Sequence, residues 1–152
     1  MDEIIKKSDK NLKVVTYKYE NDTLFIDVEK KSNTEVCPHC GQRSNRIHSK
    51  YIRQIKDLPI QEYKVILNII SKVYFCKNKD CHTKTFAEQF DFVESHSRMT
   101  KRLKKKIVNT SKATSARASK EIVNNDLANI SDDTILRLLK KNSNRNKKRA
   151  SN

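Results

Sequence analysis

The sequence predicts an α+β protein, with a β-rich first part and a helical last third. Three observations carry this reading. In two stretches, Asn11 to Glu29 and Glu62 to Phe75, apolar residues alternate and are largely β-branched or aromatic, the pattern of half-buried strands. Two cysteine pairs, Cys37 with Cys40 and Cys76 with Cys81, flank the residues between them as a metal-ligating frame would. Beyond Phe92, apolar residues recur every fourth position among lysines, which is helical spacing.

The first stretch reads as a hairpin. Val15, Tyr17 and Tyr19 alternate on one strand and Leu24, Ile26 and Val28 on the other, with Asn21-Asp22 as turn residues between them. Lys30 to Asn33 is a polar link. From Arg46 to Ile55, residues Ile47, Tyr51, Ile52 and Ile55 are available for packing. Asp57-Leu58-Pro59-Ile60 reads as a turn, because proline removes a backbone donor and fixes its own φ. Tyr63, Val65, Leu67 and Ile69 then alternate in a strand that resumes with Val73 and Phe75.

Met99, Leu103 and Ile107 predict a first helix of the last third. Ser115 to Asn125 predicts a second, with Ala118, Ile122 and Val123 on one side. Ser131 caps a third, with Asp132 and Asp133 in its first turn, a stripe of Ile135, Leu138 and Leu139, and Lys140 and Lys141 near its end. The polar, basic residues from Asn142 onward predict disorder. The expected division is a hairpin extension over 1–34, a metal-bound module over 35–92, a helical unit over 97–141 and a disordered basic tail over 142–152.

Cys37-Pro38-His39-Cys40-Gly41 is the sharpest motif. Two thiolates three residues apart can reach one ion, and the chain's only glycine stands where a left-handed backbone angle is useful. With Cys76 and Cys81 they make the four soft ligands of a closed tetrahedral zinc site, structural because no coordination position stays open. The second pair has four intervening residues instead of two, and His39, His48 or His82 could replace a sulfur. With hydrophobic residues at 36% and no tryptophan, one large core is not expected, and small modules helped by a metal fit better. The expected fold is thus a small β-rich zinc ribbon with an N-terminal hairpin.

The formal net charge is +15, and 16 basic against 4 acidic residues fall between Arg98 and Asn152. Such a field attracts polyanions, nucleic acid above all. Three helices with a break at Asp126 to Ile130 suggest a helix-turn-helix, whose last helix would lie in the major groove. Ser131, Asp133, Thr134 and Arg137 would then face bases, Arg137 being the candidate for guanine. Lys101, Arg102, Lys104, Lys105, Lys106, Arg117, Lys140 and Lys141 are the candidate phosphate contacts. No apolar run approaches the roughly 20 residues that span a bilayer, and the first ten residues hold no apolar signal segment. A reducing, cytoplasmic setting is expected, where thiolates hold metal more readily than they form disulfides.

Taken in order, several segments resemble the N-terminal region of bacterial insertion-sequence transposases of the ISL-three type. They are Cys37-Pro38-His39-Cys40, Ile47-His48-Ser49-Lys50-Tyr51, Ile55-Lys56-Asp57-Leu58-Pro59, Tyr74 to Cys81 and Thr85-Phe86-Ala87-Glu88. The likeness extends through Ser97 to Leu103 and Asp133 to Leu139. It implies a zinc ribbon and helix-turn-helix that recognise the inverted repeats ending a mobile element, in a nucleoid-associated bacterial protein. Double-stranded DNA is the implied partner, with a second copy or a full-length transposase as further partners. Full-length members carry a carboxylate catalytic domain after this region, so the chain is expected to be a truncated copy that binds without chemistry, with no catalytic residue assigned. A stand-alone regulator or transposition inhibitor is the alternative.

Overall fold

The computed structural model describes the chain except Ala113, Ser115, Asn152 and the side chain of Ala116. A short helix α1 (Asp2–Lys6) leads into β1 (Leu12–Glu20) and β2 (Thr23–Lys30), the expected hairpin. Asn21 sits at its tip with φ of 54°, a left-handed angle that asparagine tolerates better than most residues. Two short strands, β3 (Glu35–Val36) and β4 (Arg43–Ser44), carry the first cysteine pair. Long strands β5 (Ile47–Ile60) and β6 (Tyr63–Phe75) follow, and β7 (Thr85–Ala87) ends the β part.

The sheet is what the sequence reading missed. Among the described residues it has five strands, ordered β1-β2-β6-β5, with β7 on β6 as well. β2 runs parallel to β6, pairing Leu24 with Val65, Ile26 with Leu67 and Val28 with Ile69. All six of these side chains are buried, in one core with Ile5, Leu12, Ile55, Phe90 and Val93. Each such burial is worth ~1.5–3 kcal/mol, so the hairpin is tied to the long strands by their common core. β5 completes the sheet antiparallel to β6 as its outer strand, bridged at Lys56 to the segment before α2.

The expected turn at Asp57 to Ile60 is strand instead. β5 runs through it with a register irregularity between Asp57 and Ile60, and the chain reverses at Gln61, which has φ of 54°. An edge strand tolerates proline where a central one does not. Of the residues offered for packing in β5, Ile55 is buried but Ile47, Tyr51 and Ile52 are exposed, Ile52 at 66%. On β1, Val15, Tyr17 and Tyr19 are exposed too.

The helical part comprises α2 (Lys101–Lys112), α3 (Ala116–Ile122), a π-helical turn (Val123–Leu127) and α4 (Asp132–Ala150). Ser115, the expected start of the second helix, lies outside the described residues. Met99, Leu103, Ile107, Val123, Leu127, Ile130 and Ile135 form its core, with Leu58 of β5 packed against them. Ser131 caps α4 as expected, its hydroxyl accepting from the Thr134 amide at 3.3 Å. The π turn closes with the Ala128 amide on the Val123 carbonyl at 2.9 Å.

The expected architecture, a small ribbon with an appended hairpin followed by a three-helix helix-turn-helix, is therefore corrected. The described residues form four α-helices and a five-stranded mixed sheet, although the class remains α+β. Residues 142–150, expected to be disordered, continue α4 to a length of 19 residues. The helices also join the sheet directly. Lys56 of β5 donates its amide to the Arg98 carbonyl at 2.9 Å and accepts from the Thr100 amide at 3.0 Å. Asp57, 1% exposed, accepts from the Thr100 hydroxyl at 2.7 Å and from Arg102 Nε at 2.8 Å. No helix among the described residues is long and apolar enough to cross a membrane.

Candidate metal centre

The first cysteine pair sits in the loop between β3 and β4. The Gly41 amide donates to the Cys37 carbonyl at 2.9 Å and the Cys37 amide to the Gln42 carbonyl at 3.0 Å, folding the chain back on itself. Gly41 takes φ of 74°, which an L side chain resists. The second pair follows β6. The Cys76 amide donates to the Lys84 carbonyl at 2.8 Å, and the Cys81 amide to the Asn78 carbonyl at 3.2 Å. Asn78 also accepts the Asp80 amide on its side chain at 3.0 Å. These contacts take up the extra residues of the longer second loop.

The result is one cluster. The Sγ atoms of Cys37, Cys40, Cys76 and Cys81 all lie within 4.8 Å of one another. Among the described residues this is the one group of three or more Cys, His, Asp or Glu side chains so placed, and it contains no histidine. His39 and His82 instead pack edge to face, ring centres 4.9 Å apart, and His48 lies against Phe75 at 4.8 Å. Cys37 is buried beside Tyr74 and Phe86, whose rings stack at 5.9 Å, so the centre rests on a small core of its own.

The donor chemistry fits a dication. The Gln42 backbone amide, pointing at Cys40, holds that thiol down to about 7. At Cys76 the Asn78 amide favours the thiolate too, but burial and the three neighbouring sulfurs outweigh it and push the thiol up to about 12. Four sulfurs this close cannot all carry charge by themselves; a zinc ion removes the conflict, since it binds four thiolates tetrahedrally.

Residues 33–81 match the zinc-finger of transposase IS204/IS1001/IS1096/IS1165. All four cysteines fall within that span, and its chemistry is that of one structural zinc in a zinc ribbon. Among curated proteins, the transposase for insertion sequence element IS1001 of Bordetella parapertussis is 33% identical over 55 residues, 36% of this chain. The chain spans 14% of that relative's length. No solved structure matches the chain. The transposase-type zinc finger is a non-catalytic element.

The candidate DNA contacts separate on the structure. Lys101, Lys105, Lys106, Arg117, Asp133, Arg137, Lys140 and Lys141 are exposed. Arg102 is not free, because its guanidinium grips the buried Asp57 with both Nε and Nη2. Lys104 is paired with Glu94 at 2.8 Å, and Lys141 approaches the same carboxylate at 3.7 Å. Ser131 and Thr134 bond to each other at 2.9 Å as part of the α4 cap. Arg53, Lys56 and Arg98 were not singled out by sequence, yet they line one groove with Ser131, Thr134, Arg137 and Lys141. No sequence signal marked them, since they are single cations in a strand and a loop.

A second feature flanks the ribbon. Lys72 and Glu88 are buried at 1% and 2% exposure. Lys72 Nζ donates to the carbonyls of Lys30 and Ser32, both at 3.1 Å, and lies 3.7 Å from Glu88. Glu88 also accepts the Lys72 amide at 3.0 Å. Burial raises the Glu88 carboxyl above its ordinary value, against the pull of Lys72. The pair joins β2, β6 and the segment after β7 directly behind the metal loops.

Proposed function

We propose that the chain serves as a DNA-recognition unit of the insertion-sequence transposase type, binding double-stranded DNA at the ends of a mobile element. In this reading Cys37, Cys40, Cys76 and Cys81 hold one structural zinc, and the cationic surface beyond Arg98 supplies the phosphate contacts. The observation that carries it is the match of residues 33–81 to a transposase zinc finger with its four sulfurs gathered, in a chain of net charge +15. A field of that sign favours a polyanion. In this reading no chemistry is assigned to these residues.

Selection of bound sequences from a pool of random duplexes tests the reading. Enrichment of a sequence that recurs as an inverted repeat at element ends supports it. Enrichment of promoter sequences unrelated to any element end would instead favour a regulator, and no enrichment above bulk DNA would refute sequence recognition. Strand cleavage with magnesium by the zinc-loaded chain alone would overturn the assignment of binding without chemistry.

A further inference from the structure

The outer strand β5, the loop before α2 and the first turns of α4 enclose a half-open groove of about 1300 Å³. Six cations line it: Arg53, Lys56, Arg98, Lys104, Arg137 and Lys141. Its one lining carboxylate, Glu88, is buried and already faces Lys72. Most of the six keep their charge uncompensated. Arg53 donates to the carbonyls of Glu94 and Ser97, both at 3.2 Å, and Lys56 to that of Asn129 at 2.5 Å. Those bonds fix the two side chains in place without neutralising them. Arg98, in the loop before α2, and Arg137, on α4, are both exposed, and among the described residues neither has a carboxylate partner. Only Lys104 has a close anionic partner, Glu94, which Lys141 approaches more distantly.

The charges come from three separate segments, β5, the stretch from Arg98 into α2, and α4, a spread suited to an extended polyanion more than to a point anion. Neutral donors stand among them, in the Ser131 and Thr134 hydroxyls and the Gln54 amide. We propose that this groove grips one sugar-phosphate backbone of a DNA duplex, with Arg98 and Arg137 meeting phosphates from two different segments of its lining. The proposal rests on the DNA-binding reading above and adds to it the strand β5 and the Arg98 loop as contact surface.

The test uses the full zinc-loaded chain and a fluorescent random-sequence duplex, with affinity measured across a salt series. Arg98→Ala with Arg137→Ala removes two exposed groove cations whose side chains hold no ion pair among the described residues, so zinc content and unfolding should match the parent. Affinity near 0.1 M salt should fall about ten- to a hundred-fold, and the salt slope should shrink by about two. Lys7→Ala with Lys10→Ala removes the same charge outside both the groove and the helical part, and should cost about threefold or less by the long-range field alone. Arg98→Lys with Arg137→Lys should keep most of the affinity, since phosphate contacts ask for charge more than shape. Equal losses in the two alanine pairs, or a loss confined to single-stranded DNA, would overturn the groove while leaving duplex binding intact. A parent chain that binds no duplex would remove the proposed function as well.

Discussion

Each residue's role here depends on what its polar atoms already hold. Arg102 looks by sequence like one more cation in a basic run, but its guanidinium is committed to Asp57, which is 1% exposed. Arg102→Ala leaves that carboxylate buried with little beyond Thr100 and should cost about 3–5 kcal/mol in urea unfolding. Lys105→Ala, on the same helix but exposed, should stay within about 0.5 kcal/mol. The cysteines behave as a set. Cys76→Ser and Cys81→Ser should each take the zinc content from one per chain to none and unfold the loops they anchor; retained near-native structure after chelation would contradict a structural metal. Because the ligands must be thiolates, zinc uptake releases protons and acid competes with the metal. Zinc should therefore be lost progressively as pH falls. A metal content unchanged on acidification would count against thiolate ligation.

At the scale of elements, the joints matter more than the strands and helices they connect. Ser131 is the cap of α4, so Ser131→Ala should cost about 1 kcal/mol by urea unfolding, whatever it does to DNA binding. The Lys72–Glu88 pair is a stronger joint. Glu88→Ala would leave a buried ammonium among carbonyls and should cost about 3–5 kcal/mol. Its pH dependence has a definite sign. The folded-state carboxyl is raised by burial, so its contribution is fully present below the ordinary carboxylate range and declines as pH rises through the raised value. Glu88→Gln should flatten that decline, and an unchanged pH profile of stability would show that Glu88 is not its source.

On the scale of the molecule, ribbon, sheet and helices share one chain of contacts. The metal loops rest on Tyr74 at the end of β6, β6 pairs with β2 and β5, and β5 is bonded to the start of α2 through Lys56 and Asp57. Loss of zinc should therefore weaken DNA binding even though the exposed cations lie mainly in the helical part. Binding measured with and without chelator, on the same duplex, checks this: equal affinities would mean the two parts act independently. Electrostatic binding should also weaken steeply with salt, in proportion to the phosphates neutralised, and a flat response would exclude the basic surface as the contact.

The residues of the zinc centre could be read in the sequence because a metal imposes its requirement locally: two short cysteine spacings, a glycine where φ turns positive, and a strand leading in. The hairpin, the α4 cap and the helical core positions Met99, Leu103, Ile107 and Ile135 were legible for the same reason, since periodicity and capping act within a few residues. What the sequence could not show is everything set by distant pairing. The parallel match of β2 with β6 joins residues far apart along the chain, and no local pattern encodes it. The same pairing leaves β5 at the margin of the sheet, where Ile52 is exposed and Arg53 and Lys56 reach the groove. It was the fold, too, that took Arg102 out of the pool of available cations. Local chemistry determined where the metal goes; only the tertiary structure decided which charges remain free, because a buried carboxylate claims whatever cation the packing brings to it.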